Sequence, residues 1–175
     1  MALLRRSRGD AGPATGSRYQ MRQRLISVGD DYWIEDEAGR RAFRVNGKAL
    51  RIRKTFVLED AGGDEVAKIQ ERKLSVRDRM EIERPGRSNA TVKKALVGFR
   101  DRFAIDVEGA PDLEAKGNIV DHEYEIERDG DTIATVSKRW FAVRDTYGVE
   151  IAPDEDRALV LAITVCIDAM SHRKN

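Results

Sequence analysis

Residues suited to metal or nucleophilic chemistry are scarce in this chain and lie far apart. The two histidines are His122 and His172, and the one cysteine, Cys166, falls in the most apolar stretch. A zinc site needs histidine and cysteine side chains clustered at short spacings, which this sequence does not provide. We expect Cys166 to be a buried small apolar residue, and a disulfide within one chain is impossible. The sequence therefore predicts neither a metal site nor a cofactor.

Motifs for phosphate binding and covalent catalysis are also missing from the sequence. The nearest approach to a phosphate loop is Asn46-Gly47-Lys48-Ala49, which lacks the earlier glycine and the following serine or threonine. We interpret this segment as a hairpin turn. A Gly-x-Ser-x-Gly elbow is absent. No catalytic residue is predicted, and an uncharacterised enzyme stays open only as an alternative that no motif supports.

Short basic clusters are the recurring feature that could bind a ligand. Each cluster could contribute to a site for an anionic headgroup, or it could be a solvated strand face. Convergence of several clusters on one face would favour binding, but the sequence does not say which residues touch a ligand. The clusters are Arg22/Arg24, Arg51/Arg53/Lys54, Arg72/Lys73, Lys93/Lys94 and Lys138/Arg139.

The overall charge is balanced. The 175 residues include 32 Lys and Arg against 31 Asp and Glu, which gives a net charge of +1. Such a chain has no global attraction to nucleic acid or to an anionic membrane, so nucleic-acid binding is not predicted. With 41% hydrophobic residues, the chain can form one domain with a real core.

Most of the chain that must position these residues has the pattern of β-strands. From about residue 20 to residue 152, short runs rich in β-branched and aromatic residues alternate with charged ones, and Gly, Pro, Asn and Asp separate them. Glu123 to Arg128 alternates cleanly between polar and apolar residues, which indicates a strand with one wet and one buried face.

An internal repeat organises this β region. A shift of 67 positions places Gly63–Glu83 on Gly130–Glu150, and apolar positions are kept as well. The repeat predicts two similar halves, at about 20–85 and 90–152, with six strands each. Closure of twelve antiparallel strands into a barrel would remove the exposed edges. The identical pairs are Gly63/Gly130, Asp64/Asp131, Ala67/Ala134, Arg72/Arg139, Val76/Val143, Arg77/Arg144, Asp78/Asp145 and Glu83/Glu150.

The segment from Ala158 to Met170 is predicted to be a helix buried inside that barrel. Its apolar residues lie all round a helix, so every side must be covered. Thirteen residues reach roughly 20 Å, against a bilayer core of about 30 Å, so the segment is too short to be a membrane span. Thr164 and Asp168 share a face and are expected to hydrogen-bond to the inner wall of the barrel or to each other.

These patterns predict one domain preceded by a tail. Residues 1–18 are basic, rich in glycine and without an apolar period, which is typical of a flexible tail. The domain is predicted at 19–172, with strands over 20–152 and the central helix over 155–170. The first residues lack the apolar core of a signal peptide and position 2 is Ala2, so a cytoplasmic location is expected.

Several blocks of the sequence resemble the LURP-one-related family. The resemblance runs from about Tyr19 to Met170. This family belongs with the tubby-like C-terminal domain and phospholipid scramblase superfamily. The blocks are Met21–Leu25, Asp30–Glu37, Phe43–Lys48, Lys116–Tyr124, Ser137–Phe141 and Arg144–Val149.

The resemblance implies a twelve-stranded barrel around a hydrophobic C-terminal helix. For function, it implies a binding or scaffold domain without catalytic residues. Tubby proteins in the wider superfamily bind phosphoinositides, so phosphoinositides or other anionic lipid headgroups are the expected partners. A protein-interaction scaffold without a small ligand is the alternative.

Overall fold

The computed structural model describes residues 16–22, 31–47, 54–72, 79–95, 102–141 and 145–171. Residues 1–15, which include most of the predicted tail, lie outside this part of the chain, as does His172. Twelve β-strands and one C-terminal α-helix form the described structure. The strands are β1 Ser17–Arg22, β2 Tyr32–Asp36, β3 Arg41–Gly47, β4 Thr55–Asp60, β5 Glu65–Glu71, β6 Arg79–Glu83, β7 Ala90–Ala95, β8 Arg102–Val107, β9 Leu113–Asn118, β10 Glu123–Arg128, β11 Asp131–Ser137 and β12 Thr146–Ile151.

The strands form one closed antiparallel barrel, as the sequence predicted. Each strand pairs with its neighbours in chain order, and β1 pairs with β12 to complete the circle. This closing pair is long, with Tyr19 opposite Val149 at its centre and all six residues of β1 in register with β12. The first and last strands therefore leave no exposed edge at this junction.

The barrel interior is filled by alternate strand residues and by the helix α1, Arg157–Ser171. In β8, for example, Phe103 and Ile105 are fully buried, whereas Arg102 points outward and is exposed. Every residue of α1 from Leu159 to Met170 is buried. Strand side chains alternate between the two faces of the wall, so each strand buries its apolar side chains in the barrel interior. The helix is apolar on all sides, and the surrounding wall covers every side of it. None of the helices in the described residues is both long and apolar enough to cross a bilayer.

The helix begins two residues later than predicted, because Asp156 caps it. The Asp156 carboxylate accepts a hydrogen bond from the Leu159 N–H at 3.1 Å, and its carbonyl oxygen accepts one from the Val160 N–H at 3.0 Å. These two interactions identify Asp156 as the N-cap, the residue immediately before the first helical turn. Glu155 and Asp156, which the predicted helix over 155–170 includes, therefore precede the helix.

Two local expectations differ from the structure. Asn46 and Gly47 are the last residues of β3, where they pair with Val57 and Phe56, so they do not form the expected hairpin turn. The strand pattern of the sequence runs from Phe141 to Val149 and predicts one strand there, but β12 begins only at Thr146. Before it, Lys138–Trp140 forms a turn of 3₁₀ helix that starts where the Ser137 hydroxyl accepts a hydrogen bond from the Arg139 N–H.

Candidate functional site

The two ends of the barrel differ, and we name them after residues of α1. The Asp156 end contains the start of α1 and the hairpin turns that follow β2, β4, β6, β8 and β10. The Asp168 end contains the last turn of α1, the final residues of β1, β3, β5, β7, β9 and β11, and the loop between β9 and β10. The candidate site is at the Asp168 end, where buried polar residues lie beneath a basic rim.

A buried carboxylate, Asp168, is the centre of the polar cluster inside the barrel. The side chain is 3% exposed. One carboxylate oxygen lies 3.0 Å from Nε2 of His122, and the other accepts a hydrogen bond from the Tyr147 hydroxyl at 2.5 Å. The rings of His122 and Tyr147 stack with centroids 4.3 Å apart. A charge in an apolar interior persists only with such partners.

Three tyrosine hydroxyls face this carboxylate from different strands. Burial raises the pKa of Tyr32, Tyr124 and Tyr147 well above the ordinary value, and the charge of Asp168 raises each pKa further. All three phenols are therefore neutral hydrogen-bonding groups at physiological pH. The hydroxyl of Tyr32 has no hydrogen-bond partner among the described residues.

Thr164 and Asp168 are both expected to hydrogen-bond to the inner wall or to each other, and Asp168 does bond to the wall. Asp168 bonds to the inner wall through Tyr147 of β12 and to His122 of the β9–β10 loop. The Thr164 hydroxyl instead donates to the Val160 carbonyl oxygen of its own helix at 2.9 Å. Sequence reasoning identified Asp168 but missed His122 and Tyr147. No local signal marks either residue, since His122 lies between Asp121 and Glu123 and Tyr147 lies between Thr146 and Gly148.

The loop between β9 and β10 closes part of this end. Its residues Ile119 and His122 are buried, and the His122 N–H donates to the Ile119 carbonyl oxygen at 3.1 Å. Across the same loop, the side-chain amide of Asn118 donates a hydrogen bond to the Asp121 carboxylate at 2.7 Å. Val120, at the tip, is 57% exposed. The loop is thus anchored on both sides of one exposed apolar residue.

The predicted basic clusters converge on the Asp168 end. Arg24, Arg51, Arg53 and Lys73 lie outside the described residues, and the other members of the clusters are all near this end. Arg22 ends β1, Arg79 begins β6 and Arg102 begins β8, and Lys54, Arg72 and Lys138 lie next to the start of β4 and the ends of β5 and β11. The described cations here are Arg22, Lys54, Arg72, Arg79, Lys93, Lys94, Arg102, Lys138 and Arg139.

Acidic residues dominate the opposite end. The described acidic residues at the Asp168 end are Asp31, Glu71, Asp121, Glu123 and Asp145. The Asp156 end has cations too, at Arg40, Arg41, Arg84, Arg87, Arg128 and Arg157, but more carboxylates. These carboxylates are Asp36, Glu37, Asp60, Asp64, Glu65, Glu83, Glu108, Asp112, Asp129, Asp131, Asp154, Glu155 and Asp156.

Four ion pairs on the outer wall are offset in the same direction, whereas Arg44 and Asp31 are offset the other way. Lys93 pairs with Asp106, Arg102 with Glu114 at 3.2 Å, and Lys116 with Glu127 at 2.6 Å. In the strand registers, each of these cations lies two positions nearer the Asp168 end than its carboxylate. The same holds for Arg72 and Glu81, whose side chains are 2.6 Å apart. The pairs therefore give the barrel wall a charge gradient along its axis.

A cleft of about 660 Å³ opens in the wall between β1 and β2. These two strands pair only at Tyr19–Asp36 and Gln20–Glu35, so the wall is less continuous there than between β1 and β12. The volume is within the range of small-molecule sites. Its charges are mixed, with Arg22 and Arg41 facing Asp31, Glu35 and Asp145.

The described residues contain no group of three or more His, Cys, Asp or Glu side chains that could hold a metal ion. Cys166 is buried, as expected, and burial raises the pKa of its thiol. His122 and Cys166, two of the residues with the right chemistry for a metal, are thus not part of such a group.

The fold defines the class: a twelve-stranded antiparallel barrel closed around its own C-terminal helix. The chain belongs to the LURP-one-related family, whose model matches residues 17–168. It is 26% identical over 148 residues to the uncharacterized protein YxjI of Bacillus subtilis (strain 168), covering 85% of this chain and 90% of that protein. An X-ray structure of a protein from Arabidopsis thaliana is similar with a TM-score of 0.65 and 18% identity, covering 90% of this chain and 94% of that one.

Proposed function

We propose that this protein is a non-catalytic binding domain that recognises anionic headgroups, such as those of phosphoinositides, through the basic rim at its Asp168 end. The observation that carries the proposal is the convergence of the described cluster residues on that end. Scattered clusters would have supported solvated strand faces instead. Because carboxylates predominate at the Asp156 end, the charge of the barrel is polarised along its axis although its net charge is only +1.

Several of the rim cations can take a new anionic partner. Among the described residues, Arg22 and Lys138 make no ion pair, and the side chain of Arg139 is 85% exposed with only a 3.8 Å pair to Glu123. Exposed pairs of this kind contribute little to stability, about 0–1 kcal/mol. Their exchange for a phosphate therefore loses little.

The acidic residues at this end are partly neutralised by neighbours. Asp31 pairs with Arg44. The Glu123 carboxylate accepts hydrogen bonds from the Ser137 hydroxyl and the Lys138 N–H, each at 3.0 Å to Oε1. The field that an approaching anion meets is therefore set mainly by the cations. Each Lys or Arg near an anionic membrane contributes roughly 1 kcal/mol at low salt.

Vesicle flotation tests this proposal. Vesicles of phosphatidylcholine alone, and with phosphatidylserine or phosphatidylinositol 4,5-bisphosphate added, are incubated with the protein at low and at physiological salt. We expect recruitment only by the anionic vesicles, weakening as salt rises. Equal recruitment by phosphatidylserine and the phosphoinositide at matched charge would indicate recognition of charge alone. No recruitment at low salt would overturn the proposal.

A matched pair of variants locates the site. Lys138→Glu with Arg139→Glu changes the charge of the Asp168 end, and Arg40→Glu with Arg157→Glu makes the same change at the Asp156 end. All four side chains are at least partly exposed, so folding is expected to survive. We expect the first variant to lose at least tenfold in vesicle affinity, from roughly 1 kcal/mol per removed cation and added repulsion. The second variant is expected to bind like the parent protein.

The protein-scaffold alternative has less support in the described structure. A scaffold that binds a partner by apolar contact exposes an apolar patch. Val120 is the one large hydrophobic residue that is clearly exposed among the described residues. A single side chain does not form such a patch.

A further inference from the structure

We propose that Val120 enters the acyl layer of an anionic bilayer, so that the β9–β10 loop fixes the orientation of the protein on the membrane. This inference rests on the proposed function and specifies how the rim meets its partner. The bilayer would contact the Asp168 end, with the barrel axis pointing into the membrane surface.

The first argument is the exposure of Val120 compared with its neighbours. At 57% exposure, Val120 leaves apolar surface in water while the adjacent Ile119 is 2% exposed. A loop free to rearrange would bury the valine. Here the residues on both sides prevent it, because Ile119 is packed in the core and His122 contacts Asp168 beneath the loop.

The second argument is that the loop is held in one conformation. Gly117 has a φ of +139°, and a Cβ atom there would lie 2.7 Å from the Glu123 carbonyl oxygen. His122 also has a positive φ, of 53°, which non-glycine residues rarely adopt. The Asn118–Asp121 hydrogen bond closes the turn between them. The tip is therefore presented without an ordering cost when it binds.

The third argument is the chemistry around the loop. Glu123, which follows His122, accepts a hydrogen bond from the Lys138 N–H and lies 3.8 Å from the Arg139 guanidinium, so both cations are held beside the base of the loop. Lys116 lies on β9 just before it. With the Asp121 carboxylate beside the tip hydrogen-bonded to the Asn118 amide, the apolar tip and the cations at its base match an anionic bilayer, where acyl chains lie below phosphates. A folded acidic protein would satisfy the cations but would offer no general reason for the exposed valine.

A fluorescent label at position 120 tests insertion directly. Val120→Cys can be labelled selectively, because Cys166 is buried and burial raises the pKa of its thiol. The label is an environment-sensitive dye, and the matched control is Ala38→Cys, in an exposed turn at the Asp156 end. With phosphatidylcholine–phosphatidylserine vesicles, we expect a blue shift and quenching by acyl-chain nitroxide lipids at position 120 and no change at position 38.

Substitutions give a second, label-free test. Val120→Asp is expected to weaken vesicle binding about tenfold, because it removes an apolar side chain from the acyl layer and places a charge there. Ala38→Asp, with the same added charge, is expected to have no effect. Both positions are exposed, so unchanged thermal unfolding confirms that the fold is intact.

The outcomes separate the two proposals. Recruitment to vesicles with no spectral change at position 120, or with equal binding by Val120→Asp and Ala38→Asp, would overturn insertion and leave headgroup binding standing. Failure of the parent protein to bind any anionic vesicle would overturn both. Insertion at position 120 in vesicles of phosphatidylcholine alone would contradict the need for an anionic surface.

Discussion

The Nε2 atom of His122 and a carboxylate oxygen of Asp168 are 3.0 Å apart and join the β9–β10 loop to the last turn of α1. The two residues are 46 positions apart in the chain, and both are almost fully buried. The contact links the exposed rim to the centre of the barrel. A change at either residue should therefore affect both stability and the loop.

Removing the Asp168 carboxylate should strongly destabilise the protein. Asp168→Ala leaves the Tyr147 hydroxyl and Nε2 of His122 without this partner inside the core, and breaking a buried pair costs about 3–5 kcal/mol. Urea unfolding measures the loss. Asp168→Asn keeps the shape and one acceptor, so we expect a smaller loss. A change below about 1 kcal/mol for the alanine variant would show that the cluster does not stabilise the fold.

A charge in the middle of α1 should abolish folding. Ile163 is fully buried, and Ile163→Asp places a carboxylate where no described cation pairs with it. The cost of several kcal/mol is comparable to the whole stability of a domain. Circular dichroism and gel filtration of the purified variant check this outcome. A soluble monomer with the parent melting temperature would be incompatible with a buried helix.

The helix cap should make stability depend on pH in acid. Burial alone would raise the pKa of Asp156, but the hydrogen bond from the Leu159 N–H and the Arg84 guanidinium outweigh it, so the pKa is lower in the folded protein. The unfolded chain then binds the proton more tightly. The stabilisation is present above the ordinary pKa of 3.8 and is lost as the pH falls through the lower folded value.

Asp156→Asn provides the comparison for this pH dependence. Asparagine keeps the cap but has no charge to titrate. We expect the urea midpoints of the parent and the variant to differ at pH 6 and to approach each other below pH 3. A constant difference over that range would mean that the Asp156 charge does not contribute.

A methyl group at Gly117 should disturb the β9–β10 loop. The Cβ of Gly117→Ala would lie 2.7 Å from the Glu123 carbonyl oxygen and 2.8 Å from Cα of Tyr124, both backbone atoms that cannot move aside alone. Gly39→Ala is the control, since Gly39 also has a positive φ, of 73°, but no atom within 4 Å of the added carbon. We expect about 1 kcal/mol of destabilisation in the control and clearly more at Gly117. Equal losses would show that backbone strain alone matters.

The barrel was predictable because its signals are local and repeated. Alternation at Glu123–Arg128 and turn residues such as Gly63 and Gly130 mark strands independently of their partners. The apolar stretch around Ile163 could only be covered on all sides inside a closed wall. The start of α1 was misplaced because Asp156 fits the first turn and the cap equally well by sequence, and only its bond with the Leu159 N–H decides between them.

The site depends on contacts that no local pattern records. His122 contacts Asp168 from the β9–β10 loop, and Tyr147 contacts it from β12. The spacing of the three residues in the sequence has no helical or strand period. The convergence of Arg22, Arg72 and Arg102 on one end follows from strand direction, which alternates around the barrel. The clusters were visible as residues, but their common location required the strand order.

The element at the centre of the molecule is synthesised after every strand that surrounds it. All twelve strands leave the exit tunnel before α1, and β1 must wait for β12 before the circle can close. A nascent chain that lacks α1 has inward faces with nothing to cover them, so the wall and its filling must assemble together after synthesis. Contacts between the two ends of a chain slow folding, which makes this protein one that we expect to engage chaperones during translation.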